Sequence, residues 1–114
     1  MEKRFKDLVF GILDKIQESL VQSSGLIGME GPTLSLLKYT VDKAKLRPNS
    51  KDSNVISLSE KTNEYLDSIV MFGNICVTNE YEDGIIPISE IKHFIGDLKD
   101  TLEQELNQNK NEKN

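Results

Sequence analysis

From Phe5 to Leu20 the apolar residues recur at steps of three and four, and no other feature narrows the fold as much. Phe5, Leu8, Val9, Ile12, Leu13, Ile16 and Leu20 fall on one face at about 100° per residue, while Asp7, Asp14, Lys15 and Glu18 take the other. Phe10 and Val21 widen the apolar face. The spacing predicts a helix over residues 2–22, closed near Ser23–Ser24–Gly25, where glycine tolerates the left-handed cap conformation. A helix with one dry face must bury it against another element, so the chain is expected to be built by packing helices.

Three more segments carry helical patterns. One starts near Pro32, a residue favoured in a first turn, buries Leu34, Leu37, Val41 and Ala44, and stops before Pro48. The next opens with Ser57-Leu58-Ser59-Glu60, a capping-box spacing, lines Leu58, Tyr65, Leu66, Ile69 and Phe72 along one side, and meets its stop at Gly73–Asn74. The last follows Ser89 as a cap and sets Ile91, Phe94, Ile95, Leu98, Leu102 and Leu106 at near-heptad steps.

Between the last two helices lies "ICVTNEYEDGIIPIS", residues 75–89. Ile75 and Val77 alternate, Asp83–Gly84 is a strong hairpin-turn dipeptide, and Ile85 to Ile88 run back, limited by Pro87. The expected fold is therefore mainly α within an α+β class. It has about four helices in one compact domain, a single β-hairpin near residues 75–88, and a third short strand near 54–58. One domain over residues 1–106 and a polar tail over 107–114 complete the organisation, because 114 residues are too few for two comfortable cores.

The glycine-rich "SSGLIGMEGPT" lacks the Lys and Ser or Thr of a phosphate-binding loop, and reads as a turning connection over the core. The early Lys and Arg of the N-terminus precede a stretch broken by Asp7 and Asp14, which suits an amphipathic helix better than a signal peptide. No apolar run is long enough to span a membrane. A single cysteine, Cys76, fits a reducing compartment, and the protein is read as cytoplasmic.

Catalysis finds little support. Cys76 and His93 are one thiol and one imidazole with nothing to aim them at each other, and zinc needs about four ligands. Glu80, Glu82 and Asp83 fall short of a calcium loop in number and spacing. No cofactor, metal or catalytic residue is expected.

Charge is more informative. Lys38, Lys43, Lys45, Arg47 and Lys51 face one acid, Asp42, between positions 38 and 51, a local +4 that leaves −9 for the remainder of a chain of net charge −5. Those five cations are candidate nucleic-acid contacts. Glu80, Tyr81, Glu82 and Asp83 at the expected hairpin tip are candidate protein contacts, better matched to a basic partner than to DNA. Ile95, Leu98, Leu102 and Leu106 form a candidate homodimer seam. The favoured reading is a small non-enzymatic regulatory or interaction protein that binds another protein. The competing one is a winged-helix-like DNA-binding regulator that contacts DNA through Lys38–Lys51.

Overall fold

A computed structural model describes residues 2–79 and 84–112. They form four helices: α1 (Glu2–Leu26), α2 (Leu34–Ala44), α3 (Ser53–Asn79) and α4 (Ile88–Glu112). Each helix packs on the next, and α4 returns to α1, which closes a ring in which α2 and α4 stand diagonally apart. Successive helices run antiparallel. Lys6 of α1 meets Glu103 of α4 at 3.0 Å, and Asp14 pairs with Lys99. The result is an up-down-up-down bundle.

The core is the set of stripes that helical spacing predicts. Phe5, Val9, Leu13, Ile16 and Leu20 of α1 meet Leu37 and Val41 of α2, Leu66, Ile69 and Cys76 of α3, and Ile91, Ile95, Leu98 and Leu102 of α4. Leu8 is the exception, because it lies at the edge of the α1 stripe and is 47% exposed. Two buried hydroxyls of α3 stay inside the helix, with Ser59 Oγ donating to the Val55 carbonyl and Thr62 Oγ1 to that of Leu58, each at 2.8 Å.

The helix ends differ from the sequence signals in instructive ways. α1 runs through Leu26, and its cap is Gly28, not Gly25. Gly28 takes φ +69°, its N–H donates to the Gly25 carbonyl, and the Met29 N–H reaches the Ser24 carbonyl. That pair of bonds is a Schellman motif. Thr33 caps α2, its Oγ1 accepting the Leu36 N–H at 3.2 Å. α3 begins four residues before the capping-box serine, because Asp52 Oδ1 accepts the Asn54 N–H at 2.8 Å and supplies the cap. The short strand expected near 54–58 is the first turn of this helix.

The β-hairpin expected at 75–88 is absent among the described residues, which contain no strand or sheet. Ile75 and Val77 belong to α3, which continues past Gly73–Asn74. The alternation of two residues is too short to separate period 2 from period 3.6, and Ile69, Gly73 and Cys76 continue the helical stripe. Gly73 is a packing position. A Cβ there would come within 2.3 Å of Leu37 Cδ2, so the missing side chain lets α2 lie close on α3. The expected turn residues Glu80–Asp83 lie outside the described residues.

The return half of that expected hairpin does pair, but with another partner. Ile85 forms a single antiparallel bridge with Thr33, Ile86 N–H donates to the Pro32 carbonyl at 3.0 Å, and Ile88 N–H to that of Glu30 at 3.1 Å. Pro87, with no N–H to offer, falls between the two donors, where none is needed. Its carbonyl instead accepts the Ile91 N–H and starts α4 at Ile88, one residue before the serine expected to cap it. This clasp ties the α1–α2 connection to the start of α4. Gly31 makes it possible, since a Cβ there would stand 1.7 Å from the Ile86 carbonyl oxygen. Ile86 itself is fully buried.

After α2 the chain is pinned by Asn63, whose side chain accepts the Leu46 N–H at 2.8 Å and donates to the Leu46 carbonyl at 2.9 Å. At the other end α4 extends through Glu112, into the segment read from sequence as a polar tail. A helix already nucleated and packed at Leu102 propagates without a new nucleation step. No helix is long and apolar enough to cross a membrane among the described residues.

Candidate functional site

The five cations of the 38–51 segment do not form one patch. Lys45 pairs with Asp67 of α3, and Arg47 pairs with Asp42 at 3.1 Å. Lys43 lies over the Tyr39 ring at 4.9 Å and faces α1. Lys38 and Lys51 are exposed. On the α1 side, Lys43 shares a shallow groove of about 260 Å³ with Lys15, Tyr39 and Thr40. Lys15 was missed in the sequence because it sits on the polar face of α1, and nothing local shows that α2 packs beside it.

The candidate protein contacts Glu80, Tyr81, Glu82 and Asp83 fall outside the described residues. Of the candidate dimer seam, Ile95, Leu98 and Leu102 are buried in the chain's own core, and Leu106 is half-buried against it. Cys76 is buried in α3, whereas His93 is exposed on α4 with Nε2 3.5 Å from Asp97. Among the described residues no group of three or more His, Cys, Asp or Glu converges as a metal site.

The α3–α4 side has a different character. Tyr65 O–H donates to Glu105 Oε2, and Lys61 Nζ lies 4.0 Å from the same oxygen. Burial, reinforced by the hydrogen bond and by the negative charge of Glu105 and Glu64, pushes the Tyr65 phenol well above its ordinary range. These residues and Ser68 line a groove of about 410 Å³ between the two helices. Further along the same seam Phe72 stacks on Phe94, with ring centroids 4.4 Å apart.

Two apolar side chains stand out from this side of the bundle. Met71 is 63% exposed and Ile75 54%, one turn apart on α3, and Phe72 is their helix neighbour. The two halves of the chain differ in charge. Residues 1–52 carry nine Lys or Arg against seven acids, whereas residues 53–114 carry five against twelve. Lys99 turns to Asp14 of α1, whereas Lys61, beside Glu105, lines the groove. Glu64 and Glu105, which line this groove, were not visible as a local run, because α3 and α4 bring them together from 41 positions apart in the sequence.

No known protein family, curated protein or solved structure matches this chain.

Proposed function

We propose that this protein acts in the cytoplasm by binding another protein, as a small non-enzymatic regulatory or interaction module. The observation that carries the reading is the exposure of Met71 and Ile75, one turn apart on the solvent face of α3; Leu26 and Ile27, also well exposed, lie instead where α1 ends and the connection to α2 begins. Side chains of that size, grouped on one helix face, are the kind of surface that partner binding covers. The buried position of Cys76 fits a thiol that needs no disulfide partner.

A nucleic-acid reading through Lys38–Lys51 has weaker support, since Lys45 and Arg47 are held by Asp67 and Asp42 and phosphate binding would have to compete with those acids. Affinity capture from the native host at moderate salt tests the protein-binding reading. A partner that is retained by the wild type, lost with Met71→Ser/Ile75→Ser, and rebound by the purified wild-type protein supports it. Recovery of no such partner across repeats, together with low-salt gel shifts that vanish in Lys38→Glu/Lys43→Glu, would overturn it in favour of nucleic acid.

A further inference from the structure

The geometry points to the α3–α4 side as the seat of a basic, amphipathic helix from the partner, an inference that rests on the protein-binding reading above and adds its location and chemistry. Two antiparallel helices leave a groove between them into which a third helix packs. On α3 the groove is walled by Glu64 and Ser68, and Met71 and Ile75 continue their line beyond it at steps of three and four. On α4 the residues that turn to α3 include Phe94, which stacks on Phe72, and Glu105, which bonds Tyr65. The upper part of the seam is therefore apolar and the lower part acidic.

Each part selects a feature of the occupant. Met71, Ile75 and the half-exposed Phe72–Phe94 pair offer an apolar strip for the dry face of a helix. Met71 is flexible enough to adapt to side chains of different shape. Glu64, Glu90 and Asp97 have no Lys or Arg partner among the described residues, so the rim is open to Lys or Arg from the ligand. A second copy of the chain is a poor occupant, because a two-fold contact through this face sets acid against acid.

The test uses the full chain and a synthetic helical peptide of about 18 residues, five turns, with Leu on one face and Lys on the other. Its control has Glu in place of Lys. Fluorescence anisotropy should show binding of the Lys/Leu peptide and none of the Glu/Leu peptide. Met71→Ser/Ile75→Ser should weaken binding about tenfold or more, a loss of about 1.4 kcal/mol per factor of ten. Glu64→Gln/Asp97→Asn should weaken it a few-fold and flatten its salt dependence, whereas Asp7→Asn/Glu18→Gln on the opposite helix should change nothing. All these positions except Met71 and Ile75 are polar surface, and circular dichroism confirms that each variant is folded. Equal affinity of wild type and Met71→Ser/Ile75→Ser overturns the inference, as does concentration-dependent dimerisation abolished by that variant. A photo-crosslinker at Ile75 separates the two levels. Capture of a native partner through a segment that is neither basic nor helical overturns this inference and leaves the protein-binding reading standing.

Discussion

α3 is packed on its two flanks in opposite ways. Toward α2 it offers a glycine, and Leu34 and Leu37 of α2 press onto Gly73 while Ile86 closes the same spot from the clasp. Toward α4 it offers Tyr65 and Phe72, whose bulk holds the neighbouring helix away and leaves a groove along the seam. The shortest helix of the bundle thus lies along α3 in more extensive close contact than α4 does, although α4 is more than twice as long. Side-chain size at the contact, more than helix length, sets how near two helices come. A tight seam is already filled by the chain itself, and a loose one has room for something else.

Breaking the tight side should cost most. Gly31→Ala drives a Cβ into the backbone of Ile86, and backbone cannot rotate out of the way. The clasp between Glu30–Thr33 and Ile85–Ile88 must open, with a loss of about 3 kcal/mol, read from the midpoint of urea unfolding at constant slope. Gly73→Ala comes next. The new methyl meets the end of the Leu37 side chain, a clash relieved in part by adjustment, and alanine returns up to about 1 kcal/mol of helix propensity. A net loss of about 1–2 kcal/mol is expected. Leu37→Val removes the clashing carbon, so the double variant should lose less than the two single losses combined. Strict additivity would show that Gly73 is not the contact that sets the α2–α3 distance.

The loose side should yield smaller effects, with a pH signature. Tyr65→Phe removes the bond to Glu105 at a cost of about 1 kcal/mol near neutral pH. The folded phenol holds its proton to higher pH than the unfolded one, which releases it near pH ~10. Its contribution is therefore full below about pH 10 and declines as pH rises toward the folded-state value. Unfolding free energies measured across alkaline pH should fall less steeply for Tyr65→Phe than for wild type. Near-ultraviolet phenolate absorbance should lose its latest-titrating component in that variant. A variant that declines as steeply as wild type would mean that Tyr65 is not shielded in the seam.

The smallest effect belongs to the surface pair Lys45–Asp67. Both side chains keep contact with water, so a double-mutant cycle with Lys45→Ala and Asp67→Ala should give a coupling of about 0.5 kcal/mol, reduced by salt. A much larger value would mean that electrostatics, not the glycine contact, clamps α2 to α3.

Where the sequence was legible, the reason is periodicity sustained over several turns. The buried stripes of α1, α2 and α4 follow from steps of three and four. Where it misled, the signal was short and had two physical causes. Gly73–Asn74 reads as a helix stop because glycine frees the backbone, yet glycine also removes bulk, and only the arrival of Leu37 shows which property is in use. Ile85 to Ile88 carry a real tendency to pair in extended form, but the sequence places Ile75 and Val77 nearest, and the actual partner, Glu30 to Thr33, lies over fifty residues away. The candidate surface was hidden for the same reason. Met71 and Ile75 look like core residues in a list of apolar positions, and their exposure depends on where α2 and α4 stand.

The sequence by itself determined that the chain builds amphipathic helices, which residues line most of their dry faces, and that its charge is uneven. Those properties are local, set by side-chain chemistry repeated at the helical period. Only the tertiary structure decided which helices touch closely, which glycine serves as a packing position, and how Glu64 of α3 and Glu105 of α4 come to line one groove. Such facts depend on pairs of residues far apart in the chain, whose meeting is decided by packing and by the backbone bonds of the clasp.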